Sequence, residues 1–472
     1  MKNVVMIFCD ELRQDALGCY GNAAGPMRTP HMDSIAASGV LFENCFCNSP
    51  VCVPSRTSLL TGLYPEETGV YDNEAAYSGF VMPRCPVTFP EVLRSAGYRT
   101  ASFGKTHLPP QLAPFALDDP EGGEMHMGLS PQERRSLDKI SPRGAFSFNA
   151  ASLYPAGRDY YPEAVTRNAL RWMEEQEGPY FVRLSYTQPH TPVIVKRGYE
   201  DKYRDVPFSG ALPDTGGLSE FERAFADAVG LDTMTEEELI QAKRYYYGMV
   251  CWIDDEVGKV LAFLRRKGLL EQTVLLVSAD HGALRGECRG LGKHIFNRAS
   301  QAVPLIISDP AGPRGERRSE LCSNIDIPRT LLALLGVEAP GGFRGADLFA
   351  PRPPETVFAT IGYGEPDSRA FPNRQLGTLP GGRGWPRRAC IRKEHYRLDM
   401  NVRIDGAAVK EGEEDVFFVD CARCPGEDVN MVSEYPAVAA AMAEELRAHC
   451  RGAVEADPGM LKAPQAVVRA ER

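Results

Sequence analysis

Thr273–Gly282 reads TVLLVSADHG. Its first six residues are almost all apolar or β-branched, the composition of a strand covered on both faces of a parallel sheet. The run then stops abruptly on Asp280, His281 and Gly282. A buried strand seldom ends in two coordinating side chains unless they bind something, and carboxylate oxygen with imidazole nitrogen suits a divalent cation. The same pattern recurs along the chain. VVMIF (Val4–Phe8) leads into Asp10-Glu11, Thr100–Phe103 leads into GKTH with Lys105 and His107, and YFVRLSY (Tyr180–Tyr186) leads to His190. VPLIIS (Val303–Ser308) is a further apolar run.

Helical segments fall between these strands. Thr88 and Glu91 form a capping box ahead of a short helix ending near Gly97, and Tyr161–Gln176 reads as helical. Thr235 and Glu238 form a second box, opening a long helix with Val250, Ile253, Val257, Val260, Leu261 and Leu264 on one face. Ile327–Leu335 is the next helix. Alternating strands and helices predict an α/β fold, a large mostly parallel sheet flanked by helices. In such folds sites gather at the carboxyl ends of the strands, where each polar cluster stands.

After about residue 350 the character changes. Pro351–Pro386 is rich in Pro, Gly and Arg, strand-like pieces follow, and Pro436–Arg451 is an Ala-rich helix. The expected division is 1–350 as the catalytic α/β domain and 351–472 as a smaller C-terminal α+β subdomain, a short antiparallel sheet plus helix that completes the substrate pocket. Leu108–Pro162 has little periodicity, and a loop that long in a compact domain is usually functional.

The composition, with 43% hydrophobic and 25% charged residues, is that of a globular protein. A net charge of −10 gives no electrostatic reason to expect nucleic acid, so an anionic substrate would need a local basic pocket. MKNVVMIFCDELRQD has too short an apolar stretch for a signal-peptide core, and no run approaches the roughly 18 residues that span a bilayer. The expectation is a cytoplasmic protein with no membrane partner. Thirteen cysteines, scattered and odd in number, fit reduced thiols. Cys421 and Cys424 form a CxxC without a second pair at zinc spacing, which reads as structural. Homo-oligomers are the common default, although no feature of the sequence specifies one.

One further stretch, NSPVCVPSRTSLLTG (Asn48–Gly62), carries chemistry of its own. Pro54 suits a first helical turn, which puts Cys52 at a helix N-terminus. Unpaired N–H groups and the helix dipole favour a thiolate or a bound anion there, although a small buried cysteine is the blander reading. Asp10 and Glu11 offer hard oxygen ligands that Asp280 and His281 could complete. Arg56, Lys105, His107, His190 and Lys293 supply positive charge and proton transfer for a tetrahedral anion. Each alone reads as a helix cap, a surface charge or a core histidine; together, at strand ends, they make an anion-binding metal site.

CVPSR followed by TSLLTG resembles the signature of the type I (formylglycine-dependent) sulfatases of the alkaline phosphatase-like superfamily. The resemblance runs nearly end to end, through MIFCDELRQDALGCYGN, RTPHMDSIAASGVLFENCFCNSPVCVPSR, GKTH, QPHTP, the DHG and LGKH pieces and DVFFVDCARCPGEDVNMV. It implies that a maturation enzyme converts Cys52 to Cα-formylglycine, whose hydrate attacks sulfur before the resulting hemiacetal collapses by C–O fission. It further implies that Asp10, Glu11, Asp280 and His281, with residue 52, hold a divalent metal, usually Ca²⁺, with Mg²⁺ or another divalent ion as alternatives. Arg56 would position the formylglycine, and Lys105 and Lys293 would bind sulfate oxygens. His107 would be the base for hemiacetal breakdown, His190 the donor to the leaving oxygen, and Asn73 a polar group near the substrate anion.

Two departures stand out. Asp10-Glu11 replaces the Asp-Asp of many sulfatases, and IFNRASQAVP follows LGKH where the family often has an acidic pair. The expected substrate is a sulfated carbohydrate, with a small aryl or alkyl sulfate as alternative. A phosphonate monoester or phosphodiester hydrolase using the same nucleophile is the runner-up. An anion-binding protein without turnover and a papain-like hydrolase are the readings from other classes. Arg387, Arg388 and Arg392 read either as a solvated basic run or as a reader of a second anionic group, and the pocket walls are expected from 108–162 and 351–388.

Overall fold

The computed structural model describes residues 1–472 except 77–79, 84, 120–127, 144–149, 366–383 and 456–472. The expected pocket-wall segments therefore fall partly outside the described residues.

Asn3–Asp10 is buried along its whole length and forms a middle strand of an eight-stranded sheet. In spatial order the strands are Glu316–Ser323, Val40–Phe46, Leu305–Ser308, Thr273–Ala279, Asn3–Asp10, Tyr180–Pro189, Arg99–Gly104 and Leu117–Asp119. Only Leu305–Ser308 runs antiparallel to its neighbours, so the mostly parallel sheet expected from the apolar runs is present. Thr273–Ala279 and Tyr180–Pro189, flanking the middle strand, are also buried throughout. The first is a nearly continuous apolar run, as a strand covered on both faces should be, whereas the second buries Arg183, Ser185 and Thr187 between its apolar residues, with Arg183 donating to Ser102 Oγ.

Two sets of helices flank this sheet. Pro30–Ala37, Tyr161–Glu174 and Glu236–Arg266 pack together, as do Cys52–Thr61, Phe89–Ser95 and Ile327–Leu334. Both expected capping boxes are present, at Thr88–Glu91 and Thr235–Glu238. No helix among the described residues is long and apolar enough to cross a membrane.

Thr356–Ile361, Arg387–Lys393, Tyr396–Ile404 and Phe417–Asp420 form a separate antiparallel sheet, with Pro436–Cys450 packed on it. Ile391, Leu398, Met400 and Phe418 meet Met442 and Leu446 in its core. Arg387, Arg388 and Arg392 are neither solvated nor open to a ligand. Arg387 pairs with Glu455, Arg388 with Asp399, and Arg392 with Glu427, and all three are buried. Cys421 Sγ lies 3.4 Å from Glu427 Oε1 and Cys424 Sγ 3.2 Å from Asp428 Oδ1; no metal-ligand cluster among the described residues includes either.

Glu427 joins this sheet to the short Arg298–Gln301 helix. Its carboxylate accepts from Arg392 Nη1 at 2.8 Å, Arg392 Nη2 at 2.7 Å, Arg397 Nη1 at 3.1 Å and the Arg298 backbone N–H at 2.9 Å. Burial works against the charged form, but Arg392 and Arg397 prevail and hold the carboxyl down at about 2. The folded value lies below the unfolded one, so this stabilisation is complete above the ordinary carboxyl range and fades as pH falls towards 2. Between pH 6 and pH 3 the wild type should lose about 2 kcal/mol from this group, a loss absent from Glu427→Gln. Urea unfolding at both values checks it, and parallel pH profiles for the two proteins would remove Glu427 from the acid response.

Candidate active site

Register brings the polar strand ends together. Cys9 stands opposite Ala279 on one side and Tyr186 on the other, so Asp10 and Asp280 emerge side by side. A register shift after Cys9 then sets Asp10 opposite Pro189, beside His190. On the next strand Gly104 pairs with Ser185, and Lys105 N–H donates to Ser185 O at 2.8 Å. Gly104 has φ +93°, and a Cβ there would collide with Ser185 O, so glycine lets the two strands approach and fixes where Lys105 begins.

The fifth contribution comes from the Cys52–Thr61 helix, which opens two residues before Pro54 and is buried at every position. Its cap is borrowed: the Val53 N–H donates to Asn73 Oδ1 at 3.0 Å. It ends at Gly62, φ +64°, where a Cβ would meet the Phe343 ring at 2.8 Å.

Cys52 lies at the centre, with no exposure. Its Sγ is 2.7 Å from Lys293 Nζ, 3.3 Å from His281 Nε2, 3.7 Å from Asp10 Oδ1 and 4.0 Å from Lys105 Nζ. Burial opposes ionisation of this thiol, yet Lys105, Lys293, His281 and a hydrogen bond with His107 hold it well below the usual thiol range. Burial keeps His107 below its ordinary value and therefore neutral. Burial also opposes the charge on Lys293, but Cys52 and Glu11 push its value up. Lys293 Nζ is 2.9 Å from His190 Nε2, and the His190 side chain keeps 12% exposure at the rim.

Beneath this centre, Arg56 is fully buried. Its Nε donates to Asp280 Oδ2 at 2.7 Å, its Nη2 to Asp10 Oδ2 at 3.0 Å and its Nη1 to Ser185 Oγ at 3.1 Å. Lys105 also pairs with Asp10 Oδ2. One ligand atom from each of Asp10, Asp280, His281 and Cys52 lies within 4.8 Å of the other three, and a second such group joins Asp10 to Glu11 and His190. Glu11 Oε2 is buried and accepts no hydrogen bond. A cluster of carboxylate oxygens and one imidazole, with an orphaned carboxylate oxygen, fits a hard divalent cation. His31, Asp254 and Asp255 form another acidic group, but Asp254 caps the Pro30–Ala37 helix through the His31 and Met32 N–H groups.

The structure thus brings together Asp10, Glu11, Cys52, Arg56, Lys105, His107, His190, Asp280, His281 and Lys293, with Asn73 one residue away as the cap on Val53. Reading the sequence missed the groups that hold them. Ser55 Oγ donates to Asp280 O at 2.5 Å, and Asn324 Nδ2 to Ala279 O at 3.1 Å. Tyr246 Oη donates to Glu11 O at 2.7 Å, and Arg285 pairs with Glu11 Oε1. Ser55 was visible inside CVPSR; the other three carry no local signal.

Three carboxylates (Asp10, Glu11, Asp280) face four cations (Arg56, Lys105, Arg285, Lys293), so an acidic protein carries a basic pocket before any metal is counted. This pocket stands at the carboxyl edge of a mostly parallel sheet, where the resemblance to the alkaline phosphatase-like superfamily expects an active site. Residues 2–337 match the profile of the Sulfatase family, and the chain belongs to that family. It is a sulfuric ester hydrolase. Among its relatives, the choline-sulfatase of Rhizobium meliloti (strain 1021) is 29% identical over 361 residues, covering 71% of this chain and 68% of that one. The N-acetylglucosamine-6-O-sulfatase of Bacteroides thetaiotaomicron is 24% identical over 409 residues, covering 73% and 70%. Among solved structures, the phosphonate monoester hydrolase of Agrobacterium radiobacter superposes with a TM-score of 0.76 at 24% identity, over 95% of this chain and 96% of that one.

Proposed function

We propose that the chain hydrolyses the sulfate ester of a carbohydrate by S–O cleavage, with Cys52, matured to Cα-formylglycine, as the source of the nucleophile. The observation that carries this reading is the placement of Cys52: buried, at a helix N-terminus, and ringed by Lys293, His281 and Asp10. Matured, residue 52 supplies a hydroxyl nucleophile from which sulfate can leave without water attacking sulfur. A divalent cation, Ca²⁺ by family resemblance, would be held by Asp10, Glu11, Asp280 and His281, lowering the pKa of that hydroxyl and neutralising sulfate charge.

The chain's own groups divide the remaining work. Lys105 and Lys293 flank residue 52 and are aimed at sulfate oxygens, stabilising charge where it develops. Neutral His107, hydrogen-bonded to residue 52, takes the proton there. His190 stands at the rim, where the alcohol must leave, and Lys293 lies within donor distance of its Nε2. His190 would be the donor to the leaving oxygen, with Lys293 sharing the role by passing a proton to Nε2 across this contact. A sugar as the alcohol half is supported by the relative named for N-acetylglucosamine 6-O-sulfate. Walls from 108–162 and from the C-terminal subdomain, 351–472, would complete its pocket.

The test compares an aryl sulfate with an aryl phosphonate monoester carrying the same leaving group. The sulfate should win in kcat/KM by about tenfold or more. A reversed ratio would move the assignment to phosphonate hydrolysis. Sulfate release from sulfated mono- and disaccharides then tests the alcohol half.

A further inference from the structure

The carboxylates of this site share an arrangement that the family resemblance does not supply: each has one oxygen already held by a cation of the protein. Asp10 Oδ2 is taken by Arg56 and Lys105, and Asp280 Oδ2 by Arg56 at 2.7 Å. Glu11 Oε1 faces Arg285 Nη2 at 3.3 Å, while its Oε2 lies 3.4 Å from His190 Nε2 and 3.8 Å from Lys293 Nζ and accepts no hydrogen bond.

Arg285 is built into this position. Its side chain is 2% exposed, its guanidinium lies 4.2 Å over the Tyr246 ring, and its only ion pair among the described residues is with Glu11. Tyr246 holds the same residue from the main chain, its hydroxyl donating to Glu11 O and accepting from Arg13 N–H at 2.9 Å. Asp280 Oδ1 accepts the Glu11 N–H at 3.0 Å. Glu11 sits at φ +65°, a conformation that a non-glycine residue holds only when its surroundings impose it. Backbone and carboxylate are therefore both fixed, and one oxygen is left without a hydrogen bond.

We propose that Arg285 is a positioning residue that restricts Glu11 to a single ligating oxygen and thereby sets the coordination number of the cation site. The proposal rests on the cation reading above. Ca²⁺ accepts six to eight oxygens and takes carboxylates in either mono- or bidentate form, whereas Mg²⁺ demands a near-ideal octahedron of single oxygens. A site whose carboxylates each offer one oxygen discriminates against Mg²⁺ less than the same carboxylates left free. Freeing Glu11 Oε1 should favour Ca²⁺.

The experiment measures Ca²⁺ and Mg²⁺ dissociation constants by calorimetry on metal-free wild type, Arg285→Met and Arg285→Gln. Methionine removes both charge and donor; glutamine removes the charge and keeps an N–H for Oε1. The ratio of Ca²⁺ to Mg²⁺ affinity should rise about tenfold in Arg285→Met and stay near wild type in Arg285→Gln. An unchanged ratio in Arg285→Met, or equal shifts in both variants, overturns the proposal while leaving the cation reading in place. Wild type that binds neither cation overturns the cation reading itself, and this inference with it. Because a buried arginine can be needed for folding, the wild-type protein crystallised with Ca²⁺ gives a second reading. Glu11 bound through Oε2 alone is expected, and both oxygens at about 2.3–2.6 Å from the ion would refute it.

Discussion

Cys52→Ala should lose ester hydrolysis almost completely, with kcat falling by roughly 10⁴-fold or more, the scale seen when a covalent nucleophile is deleted. No neighbour can replace it. Ser55, three residues on, spends its hydroxyl on Asp280 O, and the Asp10 and Asp280 carboxylates are committed to Arg56 and Lys105. The fold should survive, because the side chain removed is small and the helix keeps Pro54 in its first turn and Asn73 as its cap. Loss of rate with an unchanged unfolding midpoint would therefore be a chemical loss. The peptide spanning residue 52 must be weighed in the wild type at the same time. Protein matured in its native host should carry an aldehyde or its hydrate there, and its activity should resist thiol alkylation. Full activity in Cys52→Ala would place the nucleophile elsewhere. An alkylatable thiol in protein that is nonetheless active would replace the formylglycine reading with direct thiolate chemistry.

The strands that deliver the site were legible because burial on both faces leaves an uninterrupted apolar run, and the first polar residues after it have no reason to be there except function. Asp10 and Asp280 follow that rule closely, whereas the strands ahead of Lys105 and His190 carry buried polar residues of their own, Ser102 in one and Arg183, Ser185 and Thr187 in the other. The outer half of the sheet was not legible. Glu316–Ser323 is an edge strand with exposed and half-exposed positions, so ERRSELCS carries no apolar signature. The reversed direction of Leu305–Ser308 leaves no mark on its composition, since antiparallel and parallel strands buried on both faces read alike. Arg387, Arg388 and Arg392 misled in another way. A basic run looks solvated until its partners arrive, Asp399 from the next strand and Glu427 and Glu455 from further along the chain. Arg285 and Tyr246 were invisible for the same reason, because their role depends on where Glu11 comes to rest.

Arg56→Met should cost about 3 kcal/mol of stability in metal-free protein, the lower end of what breaking a buried ion pair from one side costs. The guanidinium is the counter-charge between two buried carboxylates that stand side by side at strand ends. Without it, Asp280 Oδ2 has no cation among the described residues, while Asp10 keeps Lys105, which limits the loss. Methionine approximates the volume of the arginine stem, so the cost reports charge more than cavity. The two carboxylates then become a stronger trap for a cation, which leads to a second, opposite effect. A ligand that binds only the folded state stabilises it by about 2.7 kcal/mol at a hundredfold excess over its dissociation constant. Millimolar Ca²⁺ should therefore rescue the variant by more than it stabilises the wild type. Denaturant unfolding with chelator and with Ca²⁺ measures both quantities. A loss within about 1 kcal/mol in chelator would mean that Arg56 is not what holds the carboxylates together. Equal stabilisation of both proteins by Ca²⁺ would mean that the cation binds away from Asp10 and Asp280.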